Sequence, residues 1–509
     1  MKKIAGLFFL LMLVLLSLVA CGDSDGDGKT KDSNIGKGTK WETVDFSGTT
    51  LRISVSVDQN MGNSTPTSVR YLRGSDEATS DDVVNLASNR NKDVSDMLGI
   101  DVQYVEAHNQ YNEVQTYIEE LVMANTDETP DIFIDDVYGG IRAAMNGALY
   151  NVMDSDEKNY LELTEENGWY VDFMNGLTLN PAIKYFLAGD YFIDILRSCH
   201  VLFVNIDRYE ESTGSPIEIL YGDIKDGKWT YDYFATLIDD VWDEAPNNQS
   251  GYAQKDDDLI GFACSSICVY PFFYGSENSL YERDNTGDYS VPYEHSTYFS
   301  FARDIFDLLT AQAVFRTVGT GTDESRTSTY FSNGNVLLAQ GMLLSEIEMP
   351  EIRAMTDRRG LIVFPKHSSA KNYNTYVHDL AEGGMIALST ENFSAATAYL
   401  QCINEYSADV RDSYAEYAVM FKYNKDAATV EMINLIYDSI GSPFEGIMGQ
   451  LAFALGAGSN PPAGVYSPQA ALTISVQANN NTFVNTYQKS YNIYVAGLNI
   501  LKDKFGLTK

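Results

Sequence analysis

The order of elements in this sequence predicts an α/β protein whose body opens with a wound, mainly parallel sheet. Two observations carry that expectation. Strand and helix patterns alternate as β-α-β-α-β between residues 50 and 136, the order that winds a parallel sheet. Hydrophobic residues make up 44% of 509, an ordinary globular share in a chain long enough for two or three domains.

The first strand runs from Thr50 to Val57, where apolar and polar residues alternate until Asp58-Gln59-Asn60 break the pattern. The spacing of Val83, Val84, Ala87, Val94 and Leu98 predicts a helix over about 80–98, closed by Gly99. A second strand covers Ile100 to Glu106, and a helix about 110–124 follows. Pro130-Asp131 then opens a short apolar strand that ends in Asp135-Asp136, and helical periodicity resumes at Ile141. Ligands of such sheets sit beyond the carboxyl ends of the strands. Asp58, Gln59, Asp135 and Asp136 all fall there.

The N-terminus predicts export. Lys2 and Lys3 precede an apolar run from Ile4 to Ala20, and the run closes in Leu18-Val19-Ala20-Cys21. The motif resembles the lipobox of bacterial lipoproteins. It implies a signal peptide over 1–20 and a diacylglycerol thioether on Cys21, tethering the chain to the extracytoplasmic face of the cell membrane. Residues 22–40, rich in Gly, Asp, Ser, Lys and Thr, predict a flexible linker. Asp23, Asp25, Asp27 and Gly28 imitate the start of a calcium loop, but Asn34 stands where the bidentate Glu is needed.

Charge and cysteines narrow the function. The chain carries 35 Lys and Arg against 71 Asp and Glu, a net charge of −36. Losing Lys2 and Lys3 takes it to about −38, which argues against nucleic acid and anionic lipid as partners. Cys199, Cys264, Cys268 and Cys402 are too scattered for a disulfide scaffold, leaving one disulfide or buried thiols as the alternatives. His108, His200, His295, His367 and His378 show no metal-ligand spacing, so neither metal nor cofactor is expected. GxSxG, HExxH and Walker patterns are missing, and no internal repeat suggests an adhesin. With so many acids, a glycoside hydrolase remains a rival class.

From Pro130 to Asp154 the chain is similar to the carbohydrate-type extracellular solute-binding proteins, a family that includes maltose-binding proteins. The likeness continues in order through Val201–Asp207, Lys228–Phe234, Tyr330–Gly334, Arg359–Pro365 and Gly383–Leu388, with a helix over 391–410. The segment 414–440 resembles a C-terminal extension of lipoproteins in that family. The resemblance implies a two-lobed periplasmic-binding-protein-like fold with crossing hinge strands near His200–Asp207 and Tyr373–Leu380. Lobe 1 would be 45–199 with 377–420, and lobe 2 would be 206–376 with 421–509. It also implies a monomer that captures a small solute, an oligosaccharide first, and delivers it to the permease subunits of an ABC importer without turnover.

A sugar site needs paired polar groups for hydroxyls and aromatic faces for the apolar side of the ring. Asp136 matches the family's sugar-binding Asp, while capping of the next helix is its other reading. Tyr138 stacks on a ligand or merely packs. The run Val269–Gly275 offers Tyr270 and Phe273 as cleft aromatics or as core. Arg197 and His200 flank the first crossing. The family's stacking Trp has no counterpart in Ala339–Leu344, and Val137 stands where an Arg can follow the binding Asp. A different oligosaccharide, a peptide or another non-sugar solute therefore stays open.

Overall fold

The structure, a computed structural model, describes residues 39–57, 68–109, 112–248, 250–255, 257–265, 268–317, 327–341, 344–416, 427–441, 444–459 and 461–507. Cys21, the linker up to residue 38, and the candidates Asp58 and Gln59 lie outside the described residues.

The first sheet holds the predicted β-α-β-α-β unit. Strands β1 (Thr49–Ser56), β2 (Ile100–Ala107) and β3 (Ile132–Asp136) are parallel, with β1 central. The helix Asp82–Leu98 starts where the Asp81 side chain accepts the Val83 and Val84 N–H groups, satisfying donors that a helix start leaves free. The next helix, Val114–Ala124, begins a few residues later than its periodicity predicts.

The helix Val137–Met145 leaves β3 directly, and it can do so because Gly139 and Gly140 begin it. A Cβ on Gly140 would collide with the Met385 sulfur, and one on Gly139 would stand 2.7 Å from Val114 Cβ. The glycine pair thus lets the helix lie against its neighbours.

The second sheet is built from β4 (Val201–Asn205), β5 (Ile260–Cys264), β8 (Val314–Arg316), β9 (Val336–Gly341) and β10 (Arg359–Ile362), in the order β10-β4-β9-β5-β8. A short hairpin, β6 (Glu282–Arg283) with β7 (Tyr289–Ser290), stands apart from it. The last strand, β11 (Glu382–Ile386), returns to the first sheet and pairs antiparallel with β3.

Two stretches therefore pass between the sheets, and they run side by side. The His200 N–H donates to the Tyr376 carbonyl at 2.8 Å, and the His378 N–H donates to the Ser198 carbonyl at 2.9 Å. Cys199 and Val377 form an antiparallel bridge between these bonds.

The helices Phe393–Glu405 and Ala408–Glu416 pack on Asp82–Leu98 of the first sheet. The helix Ala427–Asp438 packs on β10 of the second. Met448–Ala457, Pro468–Gln477 and Phe483–Lys504 form a further layer against the helices Val269–Gly275 and Ser296–Leu309. No helix among the described residues is long and apolar enough to cross a membrane.

Candidate ligand site at the crossing strands

The end of β3 is acidic and closed off. Asp136 has no exposed surface, and its carboxylate accepts the Gly139 N–H at 2.7 Å. It is thus the N-cap of the following helix. Burial, then the neighbouring Asp135, pushes its carboxyl well above the usual range. Asp135 is held in turn by the Asn109 amide at 3.0 Å and by the Asp136 N–H at 2.9 Å. Glu382 faces Asp136 across the β11–β3 ladder. Its own N–H donates to Asp194 at 2.7 Å. Burial, with Asp194, Asp135 and Asp136 around it, raises the Glu382 carboxyl strongly. Four acids thus crowd one edge of the first lobe.

The crossings supply the rest. His200, Tyr376, His378 and Asp379, with Tyr270 from the helix after β5, line a cavity of 110 Å³. The His200 and His378 rings lie parallel with centroids 5.7 Å apart. Burial first, then His378, holds the His200 imidazole well below its usual pKa, so it stays neutral. Its Nδ1 lies 3.5 Å from the Gln340 amide nitrogen, and its Nε2 has no partner. His378 Nδ1 lies 2.9 Å from Asp379 Oδ1. Burial pushes the Asp379 carboxyl up, but the His378 ring outweighs it and holds the group below the usual range. Asp379 acts electrostatically on Asp136, Tyr138 and Tyr270. Residues from both lobes thus meet at one place.

The structure sorts the sequence candidates. Tyr270 and His200 share the cavity at the crossings, whereas Asp136 and Tyr138 do not line it and are linked to it through the charge of Asp379. Tyr138 is half-buried, with the Arg142 guanidinium 5.8 Å from its ring. Tyr270 lies 5.8 Å from the Tyr376 ring.

Arg197 and Phe273 are engaged elsewhere. The Arg197 guanidinium donates to Glu348 at 3.1 and 3.2 Å and to the Ser68 hydroxyl. Tyr414 donates to the same Glu348 oxygen at 2.8 Å. Arg197 thereby ties the first crossing to the segment after β9. Phe273 is 4% exposed and stacks on Tyr298 at 5.3 Å, with Phe483 at 6.2 Å on another side. It packs into the layer between helices and lines, with Tyr274, a cavity of 260 Å³ outside the crossings. Tyr270 and Tyr274 are four residues apart and both meet Tyr376, whereas Phe273 meets Tyr298 and Phe483.

Tyr376, His378 and Asp379 were not singled out by sequence reasoning as site residues. They lie within the second expected crossing, and Tyr376 and His378 are two apart, the spacing that puts extended residues on one side.

No protein-family model matches the sequence, and no curated protein matches it. Solved structures do. A cyclo/maltodextrin-binding protein complexed with maltotetraose superposes with a TM-score of 0.53 at 12% identity, covering 90% of this chain and 98% of that one. The GacH receptor of Streptomyces glaucescens GLA.O, solved unliganded and with acarbose, gives 0.50 at 12% identity, covering 89% and 99%. The chain has the two-lobed fold of these sugar-binding receptors. At that identity the likeness is one of fold. The paired stretches around Cys199 and Val377 connect the two sheets of this fold.

A wider groove of 630 Å³ lies elsewhere, lined by Arg73, Asn85, Lys92, Tyr104 and Tyr399. It flanks the edge strand β2 and the helix Asp82–Leu98, away from the crossings, and draws on one lobe only.

Proposed function

We propose that the protein is an extracytoplasmic lipoprotein that takes an oligosaccharide between its lobes and delivers it to an ABC importer, binding without turnover. One observation carries the reading. Tyr270 from the second sheet's helix and His200, Tyr376, His378 and Asp379 of the crossings line one cavity, and the buried Asp136 at the end of β3 feels the Asp379 charge. Carboxyls take hydroxyl groups in directed hydrogen bonds, and aromatic rings cover the apolar face of a sugar. The acarbose and maltotetraose of the two structural neighbours support the same ligand class.

The 110 Å³ cavity is well below the ~300–1,000 Å³ of a typical ligand pocket. A ligand therefore enters with the lobes apart and is enclosed as they close about the crossings, the hinge motion of binding proteins. Cys21 would hold the protein at the membrane while the linker lets it reach the permease.

A thermal-shift screen of the purified mature protein against oligosaccharides, amino acids and peptides tests the reading. Binding of the right class raises the melting temperature by mass action. Stabilisation by peptides alone, or release of reducing sugar on prolonged incubation, overturns it. Cys21→Ala should release the protein from membranes into the soluble fraction with ligand affinity unchanged.

A further inference from the structure

Two cysteines meet at the turn that leads into the Tyr270 helix. Cys264 is the last residue of β5, and Cys268 stands just before the helix Val269–Gly275. The Cys268 N–H donates to the Ser265 carbonyl at 3.2 Å, which turns the chain back on itself. The two thiols lie side by side, with the Cys268 thiol hydrogen-bonded to Cys264. Each residue is 1% exposed. The other described cysteines are placed elsewhere: the Cys199 thiol donates to the Ile195 carbonyl at 3.3 Å, and Cys402 lies in the helix Phe393–Glu405.

The turn supports the cavity at the crossings from two sides. Tyr270 follows Cys268 by two residues and lines that cavity. Ser265 follows Cys264 directly, and its N–H and its hydroxyl each donate to the Gln340 side-chain oxygen at 2.9 Å. The amide nitrogen of the same Gln340 lies 3.5 Å from Nδ1 of His200, another cavity residue. The Cys264 carbonyl accepts the Thr317 N–H at 2.9 Å, which holds the strand end to β8. A shift of the turn therefore reaches two residues of the cavity.

We propose that Cys264 and Cys268 join in a disulfide during folding outside the cytoplasm, and that this bond fixes the turn beneath Tyr270 and His200. The proposal rests on the export reading above, because disulfides persist in oxidising compartments. Three residues separate the cysteines, and the turn already brings their sulfurs together. The bond thus needs no movement of distant elements.

The oxidant is a protein or small molecule that itself carries a disulfide. One cysteine loses its proton, and its thiolate attacks a sulfur of that disulfide, releasing one oxidant thiolate. The second cysteine's thiolate attacks the mixed disulfide and releases the other. One S–S bond forms and one breaks, two electrons pass to the oxidant, and the two protons end on its thiols. Burial, then the hydrogen bond with Cys264, pushes the Cys268 thiol well above its usual range, so thiolate is scarce once the turn is packed. Exchange therefore precedes packing, and the finished bond is shielded from reductant. The loop it closes is short, so its effect on stability is modest. Its main consequence is local, in holding the start of the Tyr270 helix against the end of β5.

Thiol mapping of the full chain, fractionated from the cells that make it, tests the proposal. The protein is denatured in iodoacetamide without reductant and digested with trypsin. The peptide 256–283, which holds both cysteines, should be unalkylated and two hydrogens lighter than its reduced form, while Cys199 and Cys402 are alkylated. Alkylation of Cys264 and Cys268 in membrane-bound protein, or a link from either to Cys199 or Cys402, overturns the proposal and leaves the export reading in place. Full alkylation of protein that stays in the cytosol overturns the export reading, and the disulfide falls with it. Cys264→Ala, Cys268→Ala and the double variant should lower the melting temperature by the same amount, roughly 5 °C, because either change removes the one bond. Amide hydrogen exchange in the peptide 256–283 should quicken equally in all three. Losses that add in the double variant, with exchange unchanged, overturn the claim that the bond fixes the turn.

Discussion

The two lobes bring opposite chemistry to the crossings. The first presents acids: Asp135, Asp136, Asp194 and Glu382 are all buried around the end of β3. The second presents rings: Tyr270 and Tyr274 lie on one face of the helix Val269–Gly275 and meet Tyr376 of the crossing strand. Burial first, and then the acids' mutual repulsion, pushes the Asp136 and Glu382 carboxyls up. The rings offer a flat apolar surface instead. In the proposed site each half would meet one side of a sugar, with the stretch carrying Tyr376, His378 and Asp379 lying beside the rings.

Substitutions can break this contrast or sharpen it. The largest effect should come from Phe273→Ala, which empties a packed position between helices and should cost about 3–5 kcal/mol of stability. Chemical denaturation measures that cost, and the folded fraction should keep wild-type affinity. Lost affinity with little lost stability would instead put Phe273 in the aromatic half of the site. Asp379→Asn should come next. It removes the charged oxygen beside His378 in the cavity and should weaken binding by about 2 kcal/mol, roughly thirtyfold, in a calorimetric titration. Unchanged affinity would show that the acidic half works without the crossing strand.

Asp136 should give a smaller and divided effect. Asp136→Ala loses the cap and should cost about 1 kcal/mol of stability, whereas Asp136→Asn keeps a capping oxygen and should cost far less. Equal losses for both variants would mean that charge, rather than capping, matters at the end of β3.

A further effect concerns pH. The folded protein holds Glu445 at about 7, above its ordinary 4.5, so the folded state binds this proton more tightly than the unfolded state. The resulting stability is present below about 4.5 and lost as pH rises through about 7. Glu445→Gln should therefore raise the melting temperature at pH 8 by about 2–4 °C and leave it nearly unchanged at pH 4.5.

Much of the first sheet was legible in the sequence. Alternation over Thr50–Val57 and the helical spacing of Val83, Val84, Ala87 and Val94 depend only on neighbours in the chain, and both elements formed close to their expected bounds. The need for Gly139 and Gly140, set by the approach to Val114 and Met385, could be read only with those partners in place. The site was harder to read. Asp136 and Tyr270 were candidates from strand ends and family likeness, whereas Tyr376, His378 and Asp379 reach the cavity only through a second crossing some 180 residues beyond the first. Phe273 was ambiguous because the layer that buries it, from Phe483 onward, lies about 200 residues downstream. Arg197 looked available beside the crossing, but its partner Glu348 is supplied by a distant segment.

The central claim is that the crossing strands form one oligosaccharide site shared by both lobes. A calorimetric titration comparing wild type with Tyr270→Ala and Asp379→Asn, one change on the second lobe and one on the crossing, tests it most directly. The account predicts a single saturable site in wild type for at least one oligosaccharide series, with affinity reduced tenfold or more in each variant. Wild-type affinity in both variants would contradict it.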